Sequence, residues 1–207
     1  PEINSRISNY EMAYRMQTSV PEVMDISDEP DHILRMYGKN SYTPGTYAAN
    51  CLLARRLIEK DVRFVQLYHT GWDQHDNLPA QLKRQAEDVD QGTAALIMDL
   101  KQRGLLEDTL VIWGGEFGRT PMAQGNGRDH HIKGFSIWMA GGGIKGGQVW
   151  GRTDKEGREV IDQKVEIPDL NATIAFTLGL PLDEIVYSPT RRPFTLSDKG
   201  QPITQLI

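Results

Sequence analysis

The run Thr109-Leu110-Val111-Ile112-Trp113 limits most tightly how this chain folds. Its unbroken apolar and β-branched character lacks the polar alternation of a half-solvated strand, and predicts a strand in a sheet covered on both faces. Two earlier segments read as helices. The spacing predicts a helix from Tyr47 to Lys60, with Ala48, Cys51, Leu52, Ala54, Leu57 and Ile58 turned inward, and a longer one from about Pro79 to Arg103. Between them Val62–Tyr68 is β-branched and aromatic enough for a second strand, and Phe135–Ala140, closed by Gly141-Gly142-Gly143, reads as a third.

The remaining segments are shorter. Residues 2 to about 18 carry Ile3, Ile7, Tyr10, Tyr14 and Met16 near helical spacing, with Pro21 as the stop. A short helix is expected over Asp31–Tyr37, and another from Pro168-Asp169 to about Leu178, with proline in its first turn. Gly146–Lys164 reads as loop and short hairpin, and Pro189–Ile207 as a turn-rich tail with one edge strand. Helix and strand alternate, which argues for an α/β sheet of mainly parallel strands in a single domain over residues 1–207. The Gly115–Lys133 connection has no helical period, so the Phe135–Ala140 strand is expected to return antiparallel to Thr109–Trp113.

Composition closes off several function classes. The net charge is −5 with no Lys/Arg block, which argues against duplex nucleic acid, whose binding rests on neutralising phosphates. No apolar run reaches the ~18 residues of a membrane span. A single cysteine, Cys51, forbids an intrachain disulfide, and its apolar helical setting points to packing. The chain opens at Pro1 without a methionine, as expected of a processed product or a piece of a longer protein.

Chemistry concentrates in two stretches. One is Gly71-Trp72-Asp73-Gln74-His75-Asp76-Asn77; the other runs from Glu116-Phe117-Gly118-Arg119 to Asp129-His130-His131. Three of the five histidines lie there, beside carboxylates, and imidazole with carboxylate is a donor set for Zn²⁺ or Mn²⁺. Asp73 and His75, two apart in extended backbone, point to one side and can reach one ion; the alternative is a capping Asp73 and a surface His75. Adjacent His130 and His131 point opposite ways, so one of them serves a given ion, and Asp129 can ligate or orient a ligand. Glu116 follows a sharp Gly114-Gly115 bend and can bind metal, while Arg119 can clamp an anion through its planar fork, unless the two form an internal ion pair.

Gly-Trp-Asp-x-His-x-Asn, Gly-Glu-Phe-Gly-Arg-Thr-Pro (Gly115–Pro121) and Gly-Arg-Asp-His-His (Gly127–His131), in this order, resemble the bacterial sulfatase-like domain-of-unknown-function 1501 family. The resemblance covers nearly the whole chain and corresponds to the carboxyl-terminal half of that family's domain. That family is grouped with the alkaline phosphatase superfamily. The resemblance therefore implies a partial α/β/α sandwich, mostly parallel with at least one antiparallel strand, and metal-dependent hydrolysis of sulfate or phosphate esters. It implies Asp73, His75 and His130 or His131 on one metal (Zn²⁺, Mn²⁺ or Ca²⁺), Glu116 at a second, and a periplasmic or exported full-length protein. Phe117 stands where the superfamily places a histidine ligand, and no serine or threonine here has a nucleophile's setting. The competing expectation is therefore a non-catalytic domain that binds a polymer or partner and holds at most one structural metal.

Overall fold

A computed structural model describes the backbone of residues 2–207, with the side chains of all but residues 2, 5, 15, 16 and 18–20. Helices α1 (Glu2–Met24), α2 (Asp31–Tyr37), α3 (Tyr47–Glu59) and α4 (Leu78–Gln102) precede strands β1 (Val111–Trp113), β2 (Gly118–Gln124), β3 (Gly127–His131) and β4 (Trp138–Ala140). Strands β5 (Arg152–Thr153) and β6 (Val160–Asp162), helix α5 (Ile167–Thr177) and strands β7 (Val186–Tyr187) and β8 (Pro193–Phe194) complete the order. The chain divides into two units. One comprises the residues through Gly71 with Lys83–Leu100; the other comprises Trp72–Leu82 with Lys101–Ile207.

The first unit is helical. Thr46 caps α3, its hydroxyl accepting from the Ala49 N–H at 3.2 Å. Ile33, Leu34 and Tyr37 of α2, Cys51 and Leu52 of α3 and Ala95 of α4 form its core. Gly92 lets α4 approach α3 closely, because a Cβ there would sit 3.2 Å from the Ala48 Cα. Cys51 is fully buried, and burial pushes its thiol up to about 12, in keeping with a packing role. Helix α1 runs through Pro21 to Met24, beyond the expected stop, since proline near a helix end removes one hydrogen bond without ending the turn. Ile3, Ile7, Tyr10 and Tyr14, which set the helical spacing, are exposed, and the Met16 side chain lies outside the described residues.

The second unit holds all eight strands, as four two-stranded antiparallel sheets: β1–β4, β2–β3, β5–β6 and β7–β8. Among the described residues there is no parallel sheet, which overturns the expected α/β/α sandwich. Two local facts account for it. The Val62–Tyr68 segment has no ladder, although its burial alternates residue by residue as an extended chain's does. Strand β1 pairs with β4 alone and leaves Ile112 and Trp113 exposed, so the apolar run predicted to be covered on both faces is not. The antiparallel return of the third strand is found, with Val111 opposite Ala140 and Trp113 opposite Trp138.

One charge cluster dominates the first unit. The Arg55 side chain is 2% exposed and meets Glu29 at 2.6 Å, Glu59 at 2.6 Å and Asp99 at 2.9 Å. Its Nε and Nη2 reach Asp99 and Glu29 at ion-pair distance without aligned hydrogen-bond geometry. Tyr37 donates to Asp99 at 3.1 Å, and burial together with that carboxylate pushes its phenol far above the ordinary value. Removing a buried ion-pair partner strands the remaining charges. Replacing Arg55 with Ala is therefore expected to cost about 3–5 kcal/mol in urea unfolding. Replacing Lys60, which pairs with Glu22 on the surface, should cost about 0–1 kcal/mol.

Candidate metal centre

The hairpin β2–β3 builds the site. Its two-residue turn, Gly125-Asn126, has φ +59° at Gly125, as a II′-type turn requires at its first central position. The register places Arg119 opposite His130 and Gly118 opposite His131. A shift between Arg119 and Ala123 accommodates Pro121, which cannot donate to a regular ladder. The Trp72–Asn77 loop then lies on this hairpin. Arg128 N–H donates to Gln74 O at 3.3 Å, Asn77 N–H to Asn126 Oδ1 at 3.0 Å, and Leu78 N–H to Asn126 O at 3.2 Å. Gly127 is the contact point, since a Cβ there would strike the backbone carbonyls of Gln74 and His75.

This apposition brings Asp73, His75 and His130 together. Asp73 Oδ1 lies 3.1 Å from His75 Nε2 and 3.0 Å from His130 Nε2, and the two ring nitrogens are 3.1 Å apart. Three donors so spaced are compatible with one ion about 2.1 Å from each, at roughly right angles. Among the described residues these three alone converge in this way. With the Gln124 amide oxygen turned to the ring, His75 Nδ1–H donates to it at 3.2 Å, leaving Nε2 as the lone-pair nitrogen facing the cluster. Phe117 packs its ring on His130 at 4.3 Å and limits that imidazole's rotation.

Arg119 completes the cluster from β2. Its Nη2 donates to Asp73 Oδ1 at 2.7 Å and to Trp72 O at 2.9 Å, and its Nη1 to Arg128 O at 3.4 Å. The guanidinium, followed by His130, holds the Asp73 carboxyl down at about 2 although the side chain is 71% exposed. Arg119 thus pairs with Asp73 and not, as the alternative reading had it, with Glu116. Glu116 is exposed and outside the converging group. Asp129 turns back on its own strand, its carboxylate accepting from the His130 N–H at 2.7 Å. His131 faces the other way, as strand alternation requires, and donates from Nε2 to Gly157 O at 3.0 Å. His69, outside this unit, pairs with Asp88 at 2.8 Å and sets its ring edge-on to Tyr47.

Sequence reasoning missed Gln124 and the packing role of Phe117. Gly125-Asn126 was a readable hairpin signal, and would have put Gln124 beside the turn. Nothing local announces that its amide meets His75, forty-nine residues away.

Fold and site together define a mixed α/β protein with an Asp-His-His cluster on a β-hairpin. The chain belongs to the family described as Protein of unknown function (DUF1501), whose model matches residues 1–207. No curated protein and no solved structure matches it.

Two measurements check this geometry. Arg119→Ala should return the Asp73 carboxyl toward its ordinary 3.8, read by carbon-detected NMR titration. Because the folded value is depressed, the ionised cluster's contribution is full above about pH 4 and is lost as pH falls toward 2. Gly127→Ala, by forcing the Gln74–His75 backbone off the hairpin, should cost about 1–3 kcal/mol of stability and separate the His75 and His130 ring signals from their wild-type positions.

Proposed function

We propose that Asp73, His75 and His130 bind one divalent cation, and that this centre hydrolyses sulfate or phosphate esters. The observation that carries the reading is the convergence of the three ligand atoms at 3.0–3.1 Å. The donor set suits Zn²⁺ or Mn²⁺, with two neutral imidazoles and a carboxylate that stays ionised to low pH. The cluster is also accessible: the His75 and His130 side chains are 39% and 41% exposed, which leaves room for a substrate oxygen. The three motifs and their resemblance to sulfatase-like proteins support the substrate class proposed.

Each residue then has a defined task. A bound cation polarises the ester oxygen and neutralises charge that develops in transfer. Asp73 carries the compensating negative charge. His75 is held in its ligating tautomer by Gln124, and His130 would ligate through Nε2 with its ring proton on Nδ1. Arg119 holds Asp73 in place and puts a positive charge beside the site of the anionic substrate. The second reading, a non-catalytic domain that binds a polymer or partner and holds at most one structural metal, is favoured by one observation: Phe117, a hydrocarbon ring, packs against His130.

Calorimetry with Zn²⁺ and Mn²⁺, paired with elemental analysis, tests the centre. One equivalent is expected, with His75→Ala, His130→Ala and Asp73→Asn each weakening binding about 100-fold and Gln124→Ala about 10-fold. Turnover of nitrophenyl sulfate or phosphate that needs the cation and disappears in His75→Ala supports the hydrolase. Cation binding without turnover leaves the binding-domain reading, and no cation binding removes the metal centre and the hydrolase reading with it.

A further inference from the structure

Within the first unit, three segments line an open cavity of about 620 Å³, inside the roughly 300–1,000 Å³ range of small-molecule sites. The 3₁₀ turn Lys39–Tyr42 contributes Lys39 and Asn40, the chain at His69–Gly71 forms a second wall, and α4 presents Arg84, Gln85, Glu87 and Asp88. These walls are tied together. Asp88 meets His69 at 2.8 Å, and the His69 ring stands edge-on to Tyr47 of α3. The Gln91 amide of α4 donates to the Arg35 and Met36 carbonyls at the end of α2, just before Lys39.

The charges on the walls are unequally committed. Asp88 is held by His69, and Glu87 has Lys83 at 3.8 Å one turn away on α4. Lys39 and Arg84, from two different walls, make no ion pair and no side-chain hydrogen bond among the described residues. Gln85 is 8% exposed, the most buried residue of the lining, yet no hydrogen bond among the described residues engages its amide. A buried amide without a partner is costly, and here it faces a cavity. Gly71, at φ +92°, leaves that amide its place, because a Cβ there would strike the Gln85 Nε2. No hydrophobic residue lines the cavity. A packed stretch of polypeptide would therefore gain no apolar burial in it, and would desolvate the charges around it.

We propose that this cavity binds a small oxyanion, a sulfate or phosphate group, between Lys39 and Arg84, with the Gln85 and Asn40 amides as further donors. What these groups lack is a compact acceptor that carries negative charge. A tetrahedral oxyanion accepts in several directions at once and so suits donors arriving from two walls. Arg84 offers a planar fork of N–H groups and Lys39 a point charge, the two ways in which side chains hold phosphate. The site uses none of Asp73, His75 and His130 and needs no metal.

The test is titration of the full chain with inorganic phosphate, inorganic sulfate and glycerol phosphate, read by NMR at the Gly71 backbone and Gln85 side-chain amides. A chelator is present, and chloride holds the ionic strength constant. Saturable binding of one equivalent is expected. Lys39→Ala and Arg84→Ala, both at exposed positions, should each weaken it about tenfold or more. Gln85→Glu, read at Gly71, should abolish it by setting a carboxylate against the anion. Tighter binding of glycerol phosphate than of phosphate makes the oxyanion part of a larger ligand, and equal binding makes it the free ion; either supports the site. His75→Ala should leave the affinity unchanged, so this site and the cation centre fail separately. No saturable shift with any of the three probes overturns the proposal. So does a shift that chloride reproduces, an affinity unmoved in Lys39→Ala and Arg84→Ala, or one lost in His75→Ala.

Discussion

The missing side chain at Gly127 is the constraint on which the candidate site depends. It allows the Gln74–His75 backbone to lie against β3, and every further contact in the cluster follows from that approach. Once the loop is seated, Asp73 Oδ1 meets the Arg119 guanidinium on β2, and His75 stands across from His130 on β3. The hydrogen bonds from Arg128 and Asn77 to the opposing segments then hold the seat at both ends. Steric permission comes first in this arrangement, and electrostatics act on a geometry already set.

Those electrostatics explain why four charged or polar groups share one exposed corner without dispersing. Asp73 places a single oxygen within 2.7–3.1 Å of Arg119, His75 and His130, so the carboxylate is the hub and the nitrogen groups around it are its spokes. Exposure screens each pair, and none would hold the loop alone. A bidentate-capable guanidinium with an additional carbonyl partner, Trp72 O, is the best-tethered of the spokes. Arg55 shows the opposite regime. There the charges are buried, the partners are three carboxylates, and the cost of leaving one unpaired is large.

Segments with a strong local signal matched their predicted elements. Helices α2, α3, α4 and α5 fall within a residue or two of the expected ranges, because apolar periodicity, the Thr46 cap and the Pro168-Asp169 start act over a few residues. The antiparallel return of β4 was legible for a similar reason, since a connection without a helical period leaves little choice of crossover. The parallel sheet was not there to be read. Strand character in Val62–Tyr68 and Thr109–Trp113 describes side chains that suit a sheet, and says nothing about which backbone will pair with them. The hairpin over Gly118–His131 went unread because its polar strands carry no apolar alternation, only the Gly125-Asn126 turn.

By itself the sequence determined which residues have metal-binding chemistry: Asp73, His75 and the 130–131 pair stand out by type and spacing, as did the rule that only one of two adjacent histidines serves one ion. Tertiary structure alone decided that the histidine converging with Asp73 and His75 is His130, since β-strand alternation turns His131 toward Gly157 once the register with β2 is set. It also decided that Arg119 grips Asp73 while Glu116 stays apart, and that Gln124 orients His75. The reason is physical. Ligand chemistry is a property of single side chains, whereas convergence depends on long-range backbone contacts that no local pattern encodes.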